Sequence, residues 1–202
     1  MLPFVRVLLL RDSRGKLGHH EQRLEVCEIA LCGQHEGSFM SNGSEITSAI
    51  KDVITRLKLS NETLSTAESI TGGGLGYAIT SVPGSSDVYV GGSIAYHSEV
   101  KQSHLGVSAE LIKTKTVYSE EVAFDMARGA LEKFKTTWAI ATTGVAGPDA
   151  SDGVAAGTVW VAIAGPVTQS IQLALDGERE NIRSGTVASA IGTFARILRA
   201  RD

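Results

Sequence analysis

Twice in this chain a short run of small and apolar residues empties into a glycine-rich loop, and these two stretches restrict the available folds more than any other feature. The first runs Ala67-Glu68-Ser69-Ile70-Thr71-Gly72-Gly73-Gly74, the second Thr142-Thr143-Gly144-Val145-Ala146-Gly147-Pro148-Asp149. Ahead of the first, Leu64, Thr66 and small neighbours behind the polar Ser60-Asn61-Glu62 predict a short buried strand over 63–67. Thr71 is then a candidate N-cap for a helix to about residue 80, and the glycines let backbone amides approach a ligand with no Cβ in the way. A strand end feeding a helix N-terminus gathers unpaired N–H groups and the positive end of a dipole, which suits an oxyanion or a phosphate. The same glycines also serve a tight turn that merely packs, and a glycine motif alone does not choose between the two. No Lys-Ser or Lys-Thr follows them at the spacing of a nucleotide triphosphatase loop. Ligands in α/β sheets collect outside the carboxyl ends of strands, so two such loops after parallel strands predict one shared pocket.

The periodicity around these loops supplies a scaffold. Ile46, Ala49, Ile50, Val53, Ile54 and Leu57 share one helical face behind a candidate N-cap at Ser44. The turn Val82-Pro83-Gly84-Ser85-Ser86 leads to a second strand through Val88-Tyr89-Val90 and Ser93-Ile94-Ala95-Tyr96, with Gly91-Gly92 marking a bulge or a close approach. Ser98 then caps a helix that carries Lys101 in its first turn. A cation there, if also desolvated, has a lowered pKa suited to a neutral catalytic amine; solvated, it is an ordinary surface lysine. Ser119 caps a helix with Val122, Ala123, Met126, Ala130, Leu131 and Phe134 on its apolar face. A strand over 138–143 follows, and strands over 157–164 and 169–175 join at Gly165-Pro166 as a hairpin, so the sheet is expected to be mixed. The last helix carries Val187, Ala190, Ile191, Phe194, Ile197 and Leu198 on one face, with Arg179 and Arg183 near its start as candidate anion ligands.

Composition bounds the function. At 202 residues, with 43% hydrophobic and 20% charged residues, the chain supports one sizeable core. A net charge of -3 argues against a nucleic-acid partner. The run Val7-Leu8-Leu9-Leu10 lies between Arg6 and Arg11, too short and too charged for a membrane span or a signal peptide, so no membrane partner and a cytoplasmic location are expected. Cys27 and Cys32 have no familiar metal spacing, and His19-His20 lacks a second ligand set, so no metal is expected. Residues 1–43 read as an appended N-terminal segment, poorly ordered or upstream of a natural start at Met40, with the principal domain over 44–202.

Together these motifs resemble the CinA carboxy-terminal domain family, also known as nicotinamide mononucleotide deamidase. The resemblance spans roughly residues 44–199. It rests on Ala67-Glu68-Ser69 with Thr71-Gly72-Gly73, Gly91-Gly92 with Tyr96 and Lys101, the second glycine loop, Gly157-Thr158-Val159, and Gly177 with Arg179. The resemblance implies an α/β fold, a three-layer α/β/α sandwich with a mixed, mostly parallel sheet. It further implies hydrolysis of the carboxamide of nicotinamide mononucleotide to the acid and ammonia, with no cofactor and no metal. By the same resemblance Ser69 is the nucleophile, Lys101 its base, and Tyr96 the residue that orients the lysine. Thr71, Gly72, Gly73, Thr143, Gly144 and Arg179 are then the substrate-binding candidates. The partner is a small-molecule nucleotide, and self-association into a homo-oligomer is expected, as is common among small α/β enzymes. Two alternatives stand beside this reading: a non-catalytic nucleotide- or partner-binding module, and a Ser-Lys amidase for another small substrate. The chain departs from the family pattern at Ala150-Ser151, where two glycines usually follow Gly-Pro-Asp, at Val154-Ala155-Ala156 where a loop lysine is usual, and at Glu178. Residues 1–43 are too short for the amino-terminal domain of longer members, which predicts a stand-alone form.

Overall fold

A computed structural model describes residues 5–11, 23–29 and 39–201, with side chains from residue 43 onward. In chain order the elements are β1 (Val5–Arg11), β2 (Arg23–Ile29), α1 (Phe39–Leu59), β3 (Leu64–Glu68), α2 (Gly74–Thr80) and β4 (Tyr89–Ile94). There follow α3 (Ser98–Leu105), α4 (Ala109–Lys115), α5 (Glu120–Phe134), β5 (Trp138–Gly144), β6 (Thr158–Ala164), β7 (Gln169–Ala174) and α6 (Arg179–Arg199). One sheet has the order β2-β1-β7-β6-β5-β3-β4.

The sheet is mixed, as expected, but its parallel part is confined to one side. β3 pairs in parallel with both β4 and β5, while β5–β6, β6–β7, β7–β1 and β1–β2 are antiparallel. Most strands therefore run one way, yet most pairings are antiparallel, which corrects the expectation of a mostly parallel sheet. Connection type explains this. Helical crossovers join β3 to β4 and β4 to β5, as strands that run the same way require, whereas direct loops return β5 to β6 and β6 to β7.

Side-chain alternation along the strands builds two unlike layers. On one face Leu64, Trp138, Ile140, Val159, Val161 and Ile163 pack under α1, α2 and α6, and the Trp138 ring meets Phe194 edge-on at 5.3 Å. Each fully buried large side chain of this layer contributes about 1.5–3 kcal/mol. On the other face Ala67, Ala139, Ala141, Ala162 and Ala164 meet Ala123, Met126, Ala127 and Ala130 of α5. This is the three-layer α/β/α arrangement.

Several local expectations differ from the structure. α1 begins at Phe39, so Ser44 lies inside the helix and is not its N-cap. α2 is capped by Gly73 in the left-handed region (φ 95°), not by Thr71, whose hydroxyl is engaged elsewhere. α3 is capped by His97, whose Nδ1 accepts from the Glu99 amide at 3.5 Å, which makes Ser98 the first helical residue. The bulge expected at Gly91-Gly92 sits one residue earlier: Leu64 faces Tyr89 but Ser65 faces Gly91, so Val90 is skipped. The strands β1 and β2 lie in a segment that carries no strand signal strong enough to read. The expectations for His19, His20, Cys27 and Cys32 concern side chains outside those described.

Candidate active site

The carboxyl ends of the three mutually parallel strands lie together, and each delivers a part of one cavity of about 430 Å³. Ser69 follows β3, Ala95 and Tyr96 follow β4, and Gly144 ends β5. The second glycine loop, through Val145, Ala146, Gly147 and Asp149, forms the opposite wall, and Arg179 at the start of α6 lies at the rim.

Lys101, the expected base, is a fully buried cation. It is 1% exposed, and α3 carries its side chain under the ends of β3 and β4. Nζ donates to Ser69 Oγ at 2.9 Å, to the Ala95 carbonyl at 2.8 Å and to the Tyr96 carbonyl at 3.1 Å. An ammonium has three protons for these three acceptors. A neutral amine satisfies the same set differently: its two protons go to the carbonyls, and its lone pair is left for the Ser69 hydroxyl. Burial pushes the Lys101 pKa from 10.5 down to about 8, because desolvation disfavours the charged form. At pH 7 about a tenth of the molecules then hold the amine neutral, about 300-fold more than an unperturbed lysine. Ser69 is 6% exposed and lines the cavity, and its own amide is committed to the Thr142 carbonyl at 2.9 Å. Among the described residues the neighbouring Ile70 amide donates to no protein acceptor.

The other sequence-derived candidates divide. Tyr96 is placed at the site, but its carbonyl, not its phenol, holds the lysine. The ring is 61% exposed, and its hydroxyl accepts from Arg179 at 2.9 Å. Arg179 also donates to the Gly147 carbonyl at 3.1 Å, so it ties the ends of two loops together at the cavity rim. Gly144 lines the cavity. Thr143 does not: it is fully buried, and its hydroxyl donates to the Val117 carbonyl at 2.7 Å. Thr71, Gly72 and Gly73 also lie off the cavity, and three of the donors expected to meet a ligand phosphate are already taken. The Thr71 hydroxyl and the Gly73 amide donate to Glu68, and the Gly72 amide donates to the Ser69 carbonyl.

Arg183, the other candidate anion ligand, lies off the cavity and instead clasps the Ser69 loop through the carbonyls of Ile70 (3.3 Å) and Thr71 (3.0 Å). Other participants left no clear signal in the sequence. Tyr118 and Ser151 share a hydrogen bond at 2.9 Å across the cavity wall. The lining also holds the carboxyls of Asp149 and Asp152, while Val154, Ala155 and Ala156 do not face it. Carbonyl ligands such as those of Ala95 and Tyr96 leave no trace in residue type. Glu68 did leave one, as an acid at the end of a wholly buried five-residue strand. Among the described residues no group of three or more His, Cys, Asp or Glu is placed to hold a metal ion, and no helix is long and apolar enough to cross a membrane.

Fold and cavity together define a three-layer α/β domain with a buried serine–lysine pair at the carboxyl ends of its parallel strands. The chain belongs to the CinA family: the model of the CinA C-terminal domain matches residues 46–198. A CinA-like protein of Prochlorococcus marinus is 39% identical over 201 residues, covering 97% of this chain and 47% of the relative. One from Parasynechococcus marenigrum is 42% identical over 154 residues, covering 74% and 37% respectively. The chain thus spans less than half the length of these curated relatives. Among solved structures, the competence/damage inducible protein CihA of Agrobacterium tumefaciens superposes with a TM-score of 0.73 at 31% identity, covering 77% of this chain and 96% of that one.

Proposed function

We propose that this domain is an amidohydrolase that converts nicotinamide mononucleotide to nicotinic acid mononucleotide and ammonia through a Ser69–Lys101 dyad. The observation that carries the reading is the 2.9 Å contact between Lys101 Nζ and Ser69 Oγ, made by a lysine withdrawn from solvent. Neutral Lys101 takes the Ser69 proton as Oγ attacks the carboxamide carbon. The C–N bond of the tetrahedral intermediate then breaks, Lys101 returns the proton to the departing nitrogen, and ammonia leaves an acyl-enzyme on Ser69. A water, deprotonated by Lys101, attacks the acyl carbon and releases the acid with Ser69 restored. The Ile70 amide follows the nucleophile directly and is the candidate oxyanion donor; one such donor is worth about 3–4 kcal/mol in other acyl-transfer sites. Arg179, with donors at the cavity rim, is the candidate partner for the ligand phosphate.

A second reading keeps the dyad and changes the substrate. Asp149 and Asp152 in the lining oppose a dianion, which favours hydrolysis of a smaller or uncharged amide. A cytoplasmic location and a homo-oligomeric state accompany either reading. Ammonia release is the test, measured on nicotinamide mononucleotide, free nicotinamide and the dinucleotide, with Ser69→Ala as the control. Turnover of the mononucleotide that is lost in Ser69→Ala is expected. Turnover unchanged by that substitution removes Ser69 from the mechanism, and turnover of free nicotinamide alone selects the second reading.

A further inference from the structure

Glu68 and Ser69 are consecutive at the end of β3, and side-chain alternation sends them to opposite sides of the sheet. Ser69 reaches Lys101. Glu68 goes beneath α2, where it is 2% exposed and both of its oxygens accept hydrogen bonds. Oε2 accepts from the Thr71 hydroxyl (2.7 Å), the Leu75 amide (2.9 Å) and the Gly73 amide (3.0 Å). Oε1 accepts from the Gly76 amide (2.8 Å) and the Thr66 hydroxyl (3.3 Å). The first turn of α2, which has no side-chain cap of its own, is thus satisfied by the residue preceding the candidate nucleophile.

Counting protons gives the network a direction. A hydroxyl has one hydrogen, and Thr71 spends its own on Glu68, so in the 2.8 Å contact between Thr71 Oγ1 and Thr142 Oγ1 the donor is Thr142. By the same count Tyr89 donates to Thr66 in their 2.7 Å contact. Thr142 in turn accepts the Ser69 amide on its carbonyl at 2.9 Å. The circuit from Glu68 through Thr71 and Thr142 therefore closes on the backbone of Ser69.

We propose that Glu68 is the positioning residue for Ser69: its buried carboxyl group locks the β3–α2 turn through Thr71 and Thr142 and holds Ser69 Oγ within reach of Lys101 Nζ. The inference rests on the reading of Ser69 as nucleophile. It also explains why the α2 terminus is closed to a substrate phosphate, since Glu68 occupies it. Glutamine cannot replace this group, because donors converge on both oxygens and an amide NH2 would face donors whichever way it turned.

The test compares Glu68→Gln with the unmodified chain by kcat, KM, the pH dependence of kcat/KM, melting temperature, and the rate at which a fluorophosphonate labels Ser69. A folded variant whose kcat falls by about 10- to 100-fold is expected, the scale of a small misplacement of reacting groups. KM should stay within about twofold, as when only the chemical step is affected. The pH midpoint should not move, and labelling should slow by a factor like that of kcat. A lowered melting temperature with full kcat per folded molecule would reduce Glu68 to a structural cap and overturn the proposal. A displaced pH midpoint would make it part of the proton machinery instead, which also overturns it. Should Glu68→Gln fail to fold, Thr71→Val removes the hydroxyl link and leaves the three amide contacts; it must show the same kcat-specific loss, and full turnover there sinks the idea. Labelling of the unmodified protein separates the two readings. If Ser69 is neither labelled nor active there, the nucleophile assignment fails and the inference with it; if Ser69 is labelled and Glu68→Gln is indifferent, the inference fails alone.

Discussion

Replacing Lys101 by methionine tests its burial and its chemistry in one protein. In the folded state the amine titrates at about 8, against 10.5 for an ordinary lysine. Between those values the unfolded chain binds a proton that the folded protein does not, so stability must rise with pH across this window. Below it both states are protonated, and the penalty for burying the ammonium is fully present. Above it the penalty is gone. At about 1.4 kcal/mol for each tenfold change in proton affinity, the gap from about 8 to 10.5 corresponds to about 3 kcal/mol. Methionine also abandons the Ala95 and Tyr96 carbonyls, but that cost does not depend on pH and cancels from the trend. Urea unfolding of both proteins, from neutral pH to above 10.5, should show the unmodified protein gaining about 3 kcal/mol on Lys101→Met. If the proposed amidase reading holds, kcat/KM of the unmodified protein should climb with pH in the same series to a midpoint of about 8, and the variant should be inactive. A stability difference that ignores pH would mean the lysine carries no burial penalty. A gain toward acid would mean the site favours the ammonium, and either result refutes Lys101 as a base poised near neutrality.

Two further outcomes follow from particular contacts. Arg179→Ala removes the guanidinium at the cavity rim without touching Ser69 or Lys101, so steady-state assays should show KM raised about tenfold with kcat little changed; an unchanged KM would take the phosphate elsewhere. Gly129→Ala on α5 would set a Cβ 1.9 Å from the Leu105 carbonyl of α3, so a loss of about 3 kcal/mol in unfolding experiments is expected, with turnover reduced because α3 carries Lys101. A melting temperature equal to that of the unmodified protein would refute the close packing of these helices.

The readable parts of the sequence were those in which residue type and spacing report a local constraint. The apolar faces of α1, α5 and α6 follow the 3.6 period, and their residues reach the two cores. The Gly165-Pro166 hairpin and the Ser119 cap also depend on near neighbours alone; the Ser119 hydroxyl accepts the Val122 amide at 3.3 Å. Capping misled where the acceptor came from before the turn. Thr71 has the right chemistry for an N-cap, but Glu68, a longer side chain from the strand, reaches three amides of the α2 turn and leaves Thr71 as a link in its network. Lys101 was legible as a position and not as an environment, because burial depends on how α3 lies against the sheet. Tyr96 shows the opposite limit: its place was right, but the atom that matters is a carbonyl, which every residue type supplies.

What brings Lys101 to Ser69 is the unequal thickness of the two helical layers. Beneath α1 and α6 the sheet carries Trp138, Ile140, Val159, Val161 and Ile163, which hold those helices at a distance. Beneath α5 it carries alanines, answered by alanines on the helix, so that α5 lies close to the strands. Gly129 repeats this economy of side chain one layer further out and lets the backbone of α3 touch α5. A short helix drawn in this way needs only one long side chain to reach back across the ends of β3 and β4, and the side chain that does so is Lys101. The small residues of this layer thus govern how closely α3, which carries Lys101, approaches the strands. Enlarging any of those alanines or Gly129 should lengthen the Nζ–Oγ contact before it unfolds the protein.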